Sequence, residues 1–436
     1  MTLKRKAYGQ LLAWKRRKTR QGLLVTGARQ VGKTYLIREF AKEQYGHFAE
    51  INLIENRQAA SVLDAAESAQ DLLMRMSVLA ETELVPGETL IFIDEVQMAK
   101  ETVTSIKFLV EKGGYDFIIS GSLLGVELKN IRSVPVGYLD TVSMYPLDFM
   151  EYCLARGIPE AAMAAMGNAF TNREALPEYL HERFMSRFSE YLIVGGMPAV
   201  VAEFIDSGNI QTVRRLQENL IWQYKQDITK YNEPDSLIIK DIYDLIPSEL
   251  NNQNKRFILK NMNEHARYGK YQECFVWLAD AGVALPVYNA NEPRYPLKLS
   301  KASNLFKLFM NDVGMLTSTF MRDTTIAILG KAGDVNYGSI YENMVAQELA
   351  SHGHELYYYR SKKWGELDFL VETKEGRVIP IEVKSGKAYK RHRALDNVLA
   401  IPEYGIEEAM VFHDGNVLQE GKVSYLPIYM VSQVGL

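Results

Sequence analysis

The chain has 436 residues, of which 47% are hydrophobic and 24% charged, with a formal net charge of −4. At roughly 150 residues per domain that length suggests about three domains, with ample apolar material for their cores. A chain without a basic excess cannot coat nucleic acid over its whole surface, so any such contact must come from local patches. The two cysteines, Cys153 and Cys274, lie far apart; they suggest neither a zinc site nor a disulfide framework and fit a reducing cytoplasm. No stretch approaches the roughly 18 to 20 apolar residues of a membrane span, so no membrane partner is expected. The basic start Met1-Thr2-Leu3-Lys4-Arg5-Lys6 lacks the apolar run of a signal peptide.

The first 150 residues alternate apolar runs with helical patterns, the rhythm of a parallel α/β sheet. Strands are expected at residues 23–26, 48–53, 90–93 and 117–120, and a helix at 34–45. From about 151 to 270 the pattern turns helical. Within 236–330, helices followed by Leu285-Pro286-Val287-Tyr288 and Leu297-Lys298-Leu299 suggest a winged-helix domain, where Lys255, Arg256, Lys260, Arg267 and Lys270 cluster. Gly333-Asp334-Val335-Asn336-Tyr337-Gly338 is the best linker, and strand-like runs return after Leu356. The expected division is an α/β core at 1–150, a helical lid at 151–235, a winged-helix-like domain at 236–335 and a last α/β domain at 336–436.

Gly27-Ala28-Arg29-Gln30-Val31-Gly32-Lys33-Thr34 sits between an apolar strand and a helix, where a phosphate-binding loop belongs. Its glycines let backbone amides approach phosphates unobstructed. Lys33 would reach the β- and γ-phosphates, the Thr34 hydroxyl would sit on Mg²⁺, and the following helix aims its positive end at the anion. Leu90-Ile91-Phe92-Ile93-Asp94-Glu95 ends a buried strand on an acid pair. Asp94 would hold Mg²⁺ through water, and Glu95 would polarise the attacking water as general base.

The loop and acid pair, with Ser120-Gly121-Ser122, Tyr145-Pro146-Leu147-Asp148-Phe149-Met150-Glu151 and Val194-Gly195-Gly196-Met197-Pro198, resemble the bacterial and archaeal AAA+ ATPases that carry a C-terminal domain of unknown function, the AAA_14/DUF4143 architecture. That resemblance covers essentially the whole chain. It implies an AAA+ P-loop parallel-sheet ATPase using ATP, and a polar sensor of the γ-phosphate at the tip of the fourth strand, Ser120 or Ser122. One departure stands out. Many relatives carry Gly-Arg before the Pro-Leu-x-Phe element, a candidate arginine finger, whereas this chain has Gly137-Tyr138, with Arg132 upstream as a substitute. The finger bears on turnover and on any homo-oligomeric ring.

Near the other end, Asp368 starts the apolar run Phe369-Leu370-Val371, and Pro380-Ile381-Glu382-Val383-Lys384 follows a hairpin-like Glu372-Thr373-Lys374-Glu375-Gly376-Arg377. Strand alternation sends Glu382 and Lys384 to one face and Ile381 and Val383 to the core. Two acids suit a hard Mg²⁺ or Mn²⁺ ion that neutralises a phosphodiester, and Lys384 would position the attacking water. The spacing resembles the PD-(D/E)XK nuclease superfamily, a resemblance that implies Glu342, on the first helix of that domain, as a third metal ligand beside Asp368 and Glu382. Ser339-x-x-Glu342 is equally a capping box, in which Glu342 only satisfies a backbone amide. Residues 384–393 carry five positive side chains and no acid, either a phosphate track or a solvated helix start. Catalysis is therefore expected at Lys33, Asp94 and Glu95 for ATP, and at Asp368, Glu382 and Lys384 for DNA. The alternative is a nucleotide-driven switch that holds DNA or a partner protein uncut; metal soaking would separate the two, ordered Mg²⁺ between Asp368 and Glu382 favouring the enzyme and an empty, salt-bridged Lys384 the switch.

Overall fold

The computed structural model describes residues 3–17, 21–121, 137–229, 233–252, 255–258, 268–320, 327–328 and 336–435. Two compact units emerge. One comprises Thr2–Tyr145 with the short turn Asp280–Gly282, the other Pro146–Ala279 with Val283–Leu436.

The amino-terminal unit is built on β1 (Gly22–Thr26), β2 (His47–Asn52), β3 (Thr89–Asp94), β4 (Asp116–Ser120) and β5 (Leu139–Ser143), all parallel, in the order β2-β3-β4-β1-β5. Its helices are α1 (Lys6–Arg17), α2 (Lys33–Gln44), α3 (Arg57–Asp64), α4 (Ala69–Leu79) and α5 (Lys100–Lys112). Every residue of β3 is buried, as expected of a parallel strand covered on both faces. Leu24, Ile91, Ile93, Phe117 and Ile119 of the sheet pack with Leu63, Leu72, Met76, Val103 and Ile106 of α3, α4 and α5. The four expected strands stand where the apolar runs placed them. β5 was not expected: on this edge strand Leu-Asp-Thr-Val-Ser buries only Val142, so its sequence carries no apolar run. Because β4 lies between β1 and β3, its carboxyl end falls between the phosphate loop and the acid pair.

The second unit opens on a helical layer: α6 (Phe149–Ala155), α7 (Glu160–Asn172), α8 (Glu178–Val194), α9 (Pro198–Ser207), α10 (Ile210–Thr229), α11 (Glu233–Asn251) and α12 (Tyr268–Asp280). Among the described residues no single helix is long and apolar enough to cross a membrane. An eight-stranded mixed sheet follows, formed by β6 (Ala284–Ala290), β7 (Lys301–Met310), β8 (Tyr357–Ser361), β9 (Gly365–Glu372), β10 (Val378–Val383), β11 (Ala409–His413), β12 (Leu418–Glu420) and β13 (Val423–Pro427) in the order β12-β13-β11-β10-β9-β8-β6-β7. The short α13 (Val313–Ser318) and α15 (Arg393–Leu399) flank α14 (Tyr337–Ser351), whose residues 339–350 are all buried.

The expected domain division changes here. Residues 151–235 are helical but group with the carboxyl-terminal unit, not with the ATPase core. The winged-helix domain is not a separate body. β6 and β7 form an antiparallel hairpin, yet β6 also pairs in parallel with β8, so Tyr288, Asn289 and Ala290 lie against Tyr357, Tyr358 and Tyr359. Leu297-Lys298-Leu299 is a 3-10 turn, not a strand. Tyr357, Tyr358 and Tyr359 are buried, so β8 is covered on both faces.

Polar residues on α14 fix this packing, because each buried polar group must find a partner. Asn343 exchanges hydrogen bonds with the Met310 backbone, its Oδ1 accepting at 2.9 Å and its Nδ2 donating at 3.1 Å. One turn on, Gln347 Oε1 accepts from Val313 N at 2.8 Å and its Nε2 donates to the Tyr191 hydroxyl at 2.7 Å. Glu348 Oε1 accepts from Phe149 N at 2.8 Å, beside the capping box that Asp148 and Glu151 make at the start of α6. The Gly195-Gly196 turn is equally constrained. Gly196 N donates to Asp312 Oδ2 at 2.6 Å, and Leu147 N donates to Gly196 O at 2.7 Å.

Candidate nucleotide site and the carboxylate–lysine cluster

The phosphate loop leaves β1 through Gly27 (φ 133°), passes Gln30 at φ 63°, and enters α2 at Gly32 (φ 91°). A Cβ on Gly27 would lie 2.1 Å from Met144 O, so only glycine fits there. Ala28 and Val31 anchor the loop in the core, and Arg29 faces it. Lys33 is buried, its ammonium donating to Gly27 O and Ala28 O at 2.9 Å each. Burial lowers its pKa to about 8, against the opposing pull of Glu95 and Asp94. Arg5 braces the loop from α1's side, donating to Val31 O at 2.8 Å and Tyr145 O at 2.6 Å. Sequence reasoning missed Arg5, because a basic amino terminus carries no signal of what its side chains reach.

At the ends of β3 and β4, Asp94 is buried and accepts from Thr34 Oγ1 at 2.7 Å and from Ser120 Oγ. Glu95 follows at φ 56°, a left-handed conformation uncommon outside glycine, and accepts from Gln97 Nε2 at 2.6 Å. The loop, a buried cation, and a hydroxyl–carboxylate pair at the mouth of a helix fit a Mg²⁺–triphosphate. Ser120 sits in the site, in contact with Asp94; Ser122 and Arg132 lie outside the described residues. Tyr138 donates to Glu111, so the Gly137-Tyr138 position supplies no cation.

Comparison with known sequences agrees with this geometry. Residues 19–153 match the model of an AAA domain. The amino-terminal unit is an AAA-type P-loop ATPase domain. Beyond the AAA domain, residues 185–325 and 337–431 match two domains of unknown function, DUF8612 and DUF4143. The eight-stranded sheet draws β6 and β7 from the former and its other strands from the latter. No curated protein matches the chain. Among solved structures, the chain is similar to the Walker-type ATPase paby2304 of Pyrococcus abyssi (13% identity, 73% of this chain and 95% of that one, TM-score 0.46). It is also similar to the Aeropyrum pernix ORC1 protein in complex with DNA (11% identity, 76% and 93%, TM-score 0.30).

The second unit brings together the residues expected at the other site. Asp368 on β9 accepts from Val383 N at 2.9 Å, and Glu382 on β10 meets the Lys384 ammonium at 2.7 Å, so the two-residue spacing does put both on one side. Glu342 on α14 is buried and pairs with Lys255, while Lys307 on β7 lies 3.5 Å from Glu342 and 3.0 Å from Glu366. Burial raises the pKa of Glu342 and Glu382, and the Asp368 charge adds to it. Burial alone would raise Asp368 too, but Lys307, Lys255 and Lys384 carry it below the usual range.

Two expectations are corrected. Glu342 is not a cap: Asn336 precedes α14 at the N-cap, Ser339 Oγ donates to Asn336 O, and Glu342 faces lysines. Nor do Glu342, Asp368 and Glu382 make a metal cradle; among the described residues no three His, Cys, Asp or Glu side chains are grouped to hold an ion. Their open positions face ammonium groups instead, so the donor set does not fit Mg²⁺ or Mn²⁺. Lys307 was not anticipated at this site. The missed signal was a lysine inside the apolar run Leu305-Phe306-Lys307-Leu308-Phe309, since a buried lysine requires an acidic partner. Of the basic segment 384–393, Lys384 and Lys390 pair with Glu382 and Glu420, and Arg393 begins α15. Of the middle cluster, Lys255 is taken by Glu342, and Lys260 and Arg267 lie outside the described residues.

Proposed function

We propose that the chain is a Mg²⁺-dependent ATP hydrolase whose nucleotide state governs a carboxyl-terminal, nuclease-like domain that holds DNA or a partner protein without cutting it. Backbone amides of residues 27–32 and the Lys33 ammonium would take the phosphates. Thr34 and, through water, Asp94 would hold Mg²⁺, which would supply neutralisation of the triphosphate charge. Glu95 accepts the proton of the attacking water, and Ser120 relays the state of the γ-phosphate to Asp94 through its hydroxyl. Lys33→Ala should abolish ATP binding, whereas Glu95→Gln should bind ATP and lower turnover by about 100-fold or more.

The observation that carries the non-cutting role is the Lys384–Glu382 ion pair, which engages both a metal ligand and the water-positioning group of a nuclease. Two cysteines buried as free thiols are consistent with a reducing cytoplasm. A homo-oligomer would let a neighbouring copy supply an arginine finger, for which Arg132 is the candidate. The decisive experiment incubates the protein with linear, circular and single-stranded DNA plus Mg²⁺ or Mn²⁺, while fluorescence anisotropy follows binding with ATP and with ADP. We expect intact DNA and nucleotide-dependent anisotropy. Metal-dependent cutting that Lys384→Ala removes would establish a nuclease instead.

A further inference from the structure

The carboxylate cluster holds more cations than a nuclease site needs. Lys384 accounts for the one lysine of the expected arrangement, but Lys255 and Lys307 come from outside it, from the segment after α11 and from β7. Lys307 is the unusual one. It is 1% exposed, and its side chain passes over the Tyr358 ring, 5.1 Å from the centroid, to end between Glu342 and Glu366. Burial works against its charge, yet Glu342, Glu366 and Asp368 together hold the ammonium protonated well above its ordinary range. Glu366 in turn meets Arg360 at 3.8 Å. Four carboxylates (Glu342, Glu366, Asp368 and Glu382) thus face three ammonium groups and one guanidinium, so the carboxylates are matched by cations of the chain itself.

We infer that Lys307 is the resident cation of this cluster: its buried ammonium supplies the positive charge that a divalent ion supplies in a metal-dependent nuclease, and while it is present the carboxylates take no metal. A divalent ion placed against Glu342 and Asp368 would sit beside Lys307 and Lys255 in a medium that screens poorly, so repulsion cancels what its ligands contribute. The same argument explains why this lysine lies in the first hairpin of the sheet. β6 joins β7 to β8, which brings a residue from before α14 into the cluster formed by the later strands. The inference deepens the non-cutting role proposed above.

Metal binding rather than activity is the readout. Mn²⁺ is titrated by calorimetry, and thermal unfolding is followed with and without Mn²⁺, in a Lys33→Ala background without nucleotide so that the phosphate loop contributes nothing. With Lys307 in place we expect no heat that depends on Glu382 and no shift in melting temperature. Lys307→Met, which keeps the length and removes the charge, should melt lower and recover several degrees with Mn²⁺, and the added Glu382→Gln should erase that recovery. If Lys307→Met does not fold, Lys255→Met, at the partly exposed edge of the cluster, should show the same gain in smaller measure. Mn²⁺ binding in the Lys307 protein that Glu382→Gln removes overturns the inference, as does a folded Lys307→Met protein with no response to Mn²⁺. The DNA assay is separate: metal bound but no cutting defeats only the role of Lys307, whereas no metal and no DNA binding defeats only the holding function.

Discussion

Lys33 rests on the carbonyls of its own loop, with burial holding its pKa near about 8. A bound triphosphate raises that value, because negative charge favours the ammonium form. Affinity for ATP should therefore fall as pH rises through about 8, with a proton taken up on binding there and none taken up well below it. Calorimetry in buffers of different ionisation enthalpy measures that uptake directly. Gln97 bears on the next step. Its Nε2 fixes Glu95 while its buried Oε1 has no hydrogen-bond partner among the described residues. Gln97→Ala should leave the dissociation constant for ATP unchanged and lower turnover by about 10-fold or more, as orientation of the base is lost. Single residues were legible in the sequence where chemistry dictates spacing. The loop glycines, Lys33, Thr34 and Asp94 lie together at the strand ends, and Glu382 and Lys384 meet on one side. Arg5, Gln97 and Lys307 were not legible, because each acts on a partner at least two residues away whose position depends on the fold.

The elements were legible to different degrees, and the reason is burial. β1, β3 and β4 are covered on both faces and read as unbroken apolar runs, whereas edge strand β5 faces solvent and reads as a loop. β6 was anticipated as an apolar run but placed in a winged-helix body, and β7 was not anticipated, since local pattern says nothing of which sheet a hairpin joins. Between elements the tightest constraint is Gly196, where a Cβ would lie 2.0 Å from Leu147 O, an oxygen-bearing backbone that cannot move aside. Gly196→Ala should cost about 3 kcal/mol or more, read as a shift in the denaturant midpoint. Asp312, which caps α13 and accepts from Gly196 N, is fully buried, and burial raises its pKa to about 6 despite hydrogen bonds from Gly196, Met315 and Gly314. The folded chain thus holds this proton more tightly than the unfolded chain, whose carboxyl titrates near about 4. Its contribution is fully present below about 4 and is lost as pH rises through about 6, on the order of 3 kcal/mol in all. Asp312→Asn should flatten that part of the stability–pH curve in urea titrations.

For the whole molecule, two units with separate cores predict two transitions on heating. The residues proposed to hold Mg²⁺-ATP all belong to the amino-terminal unit, so at 100 times its dissociation constant the ligand should stabilise that transition by about 2.7 kcal/mol and leave the other in place. Differential scanning calorimetry separates the two; a single peak that moves as one would show that they unfold together. The organisation into an ATPase domain and a second α/β body was legible from the motifs at either end. The expected end of the core at 150 lies near the division after Tyr145, whereas the grouping of the helices beyond it was not legible, because they carry no mark of the sheet they cover.

The parallel pairing of β6 with β8 also sets a timetable for synthesis. β6 and β7 leave the ribosome as a complete hairpin, yet the strand that covers the free side of β6 ends a crossover through α13 and α14 and emerges only once residue 361 has been made. At roughly 5 to 20 residues per second, an apolar strand edge waits several seconds for its neighbour. Nascent chains stalled in that interval are where association with a chaperone, or with another nascent copy, should be sought.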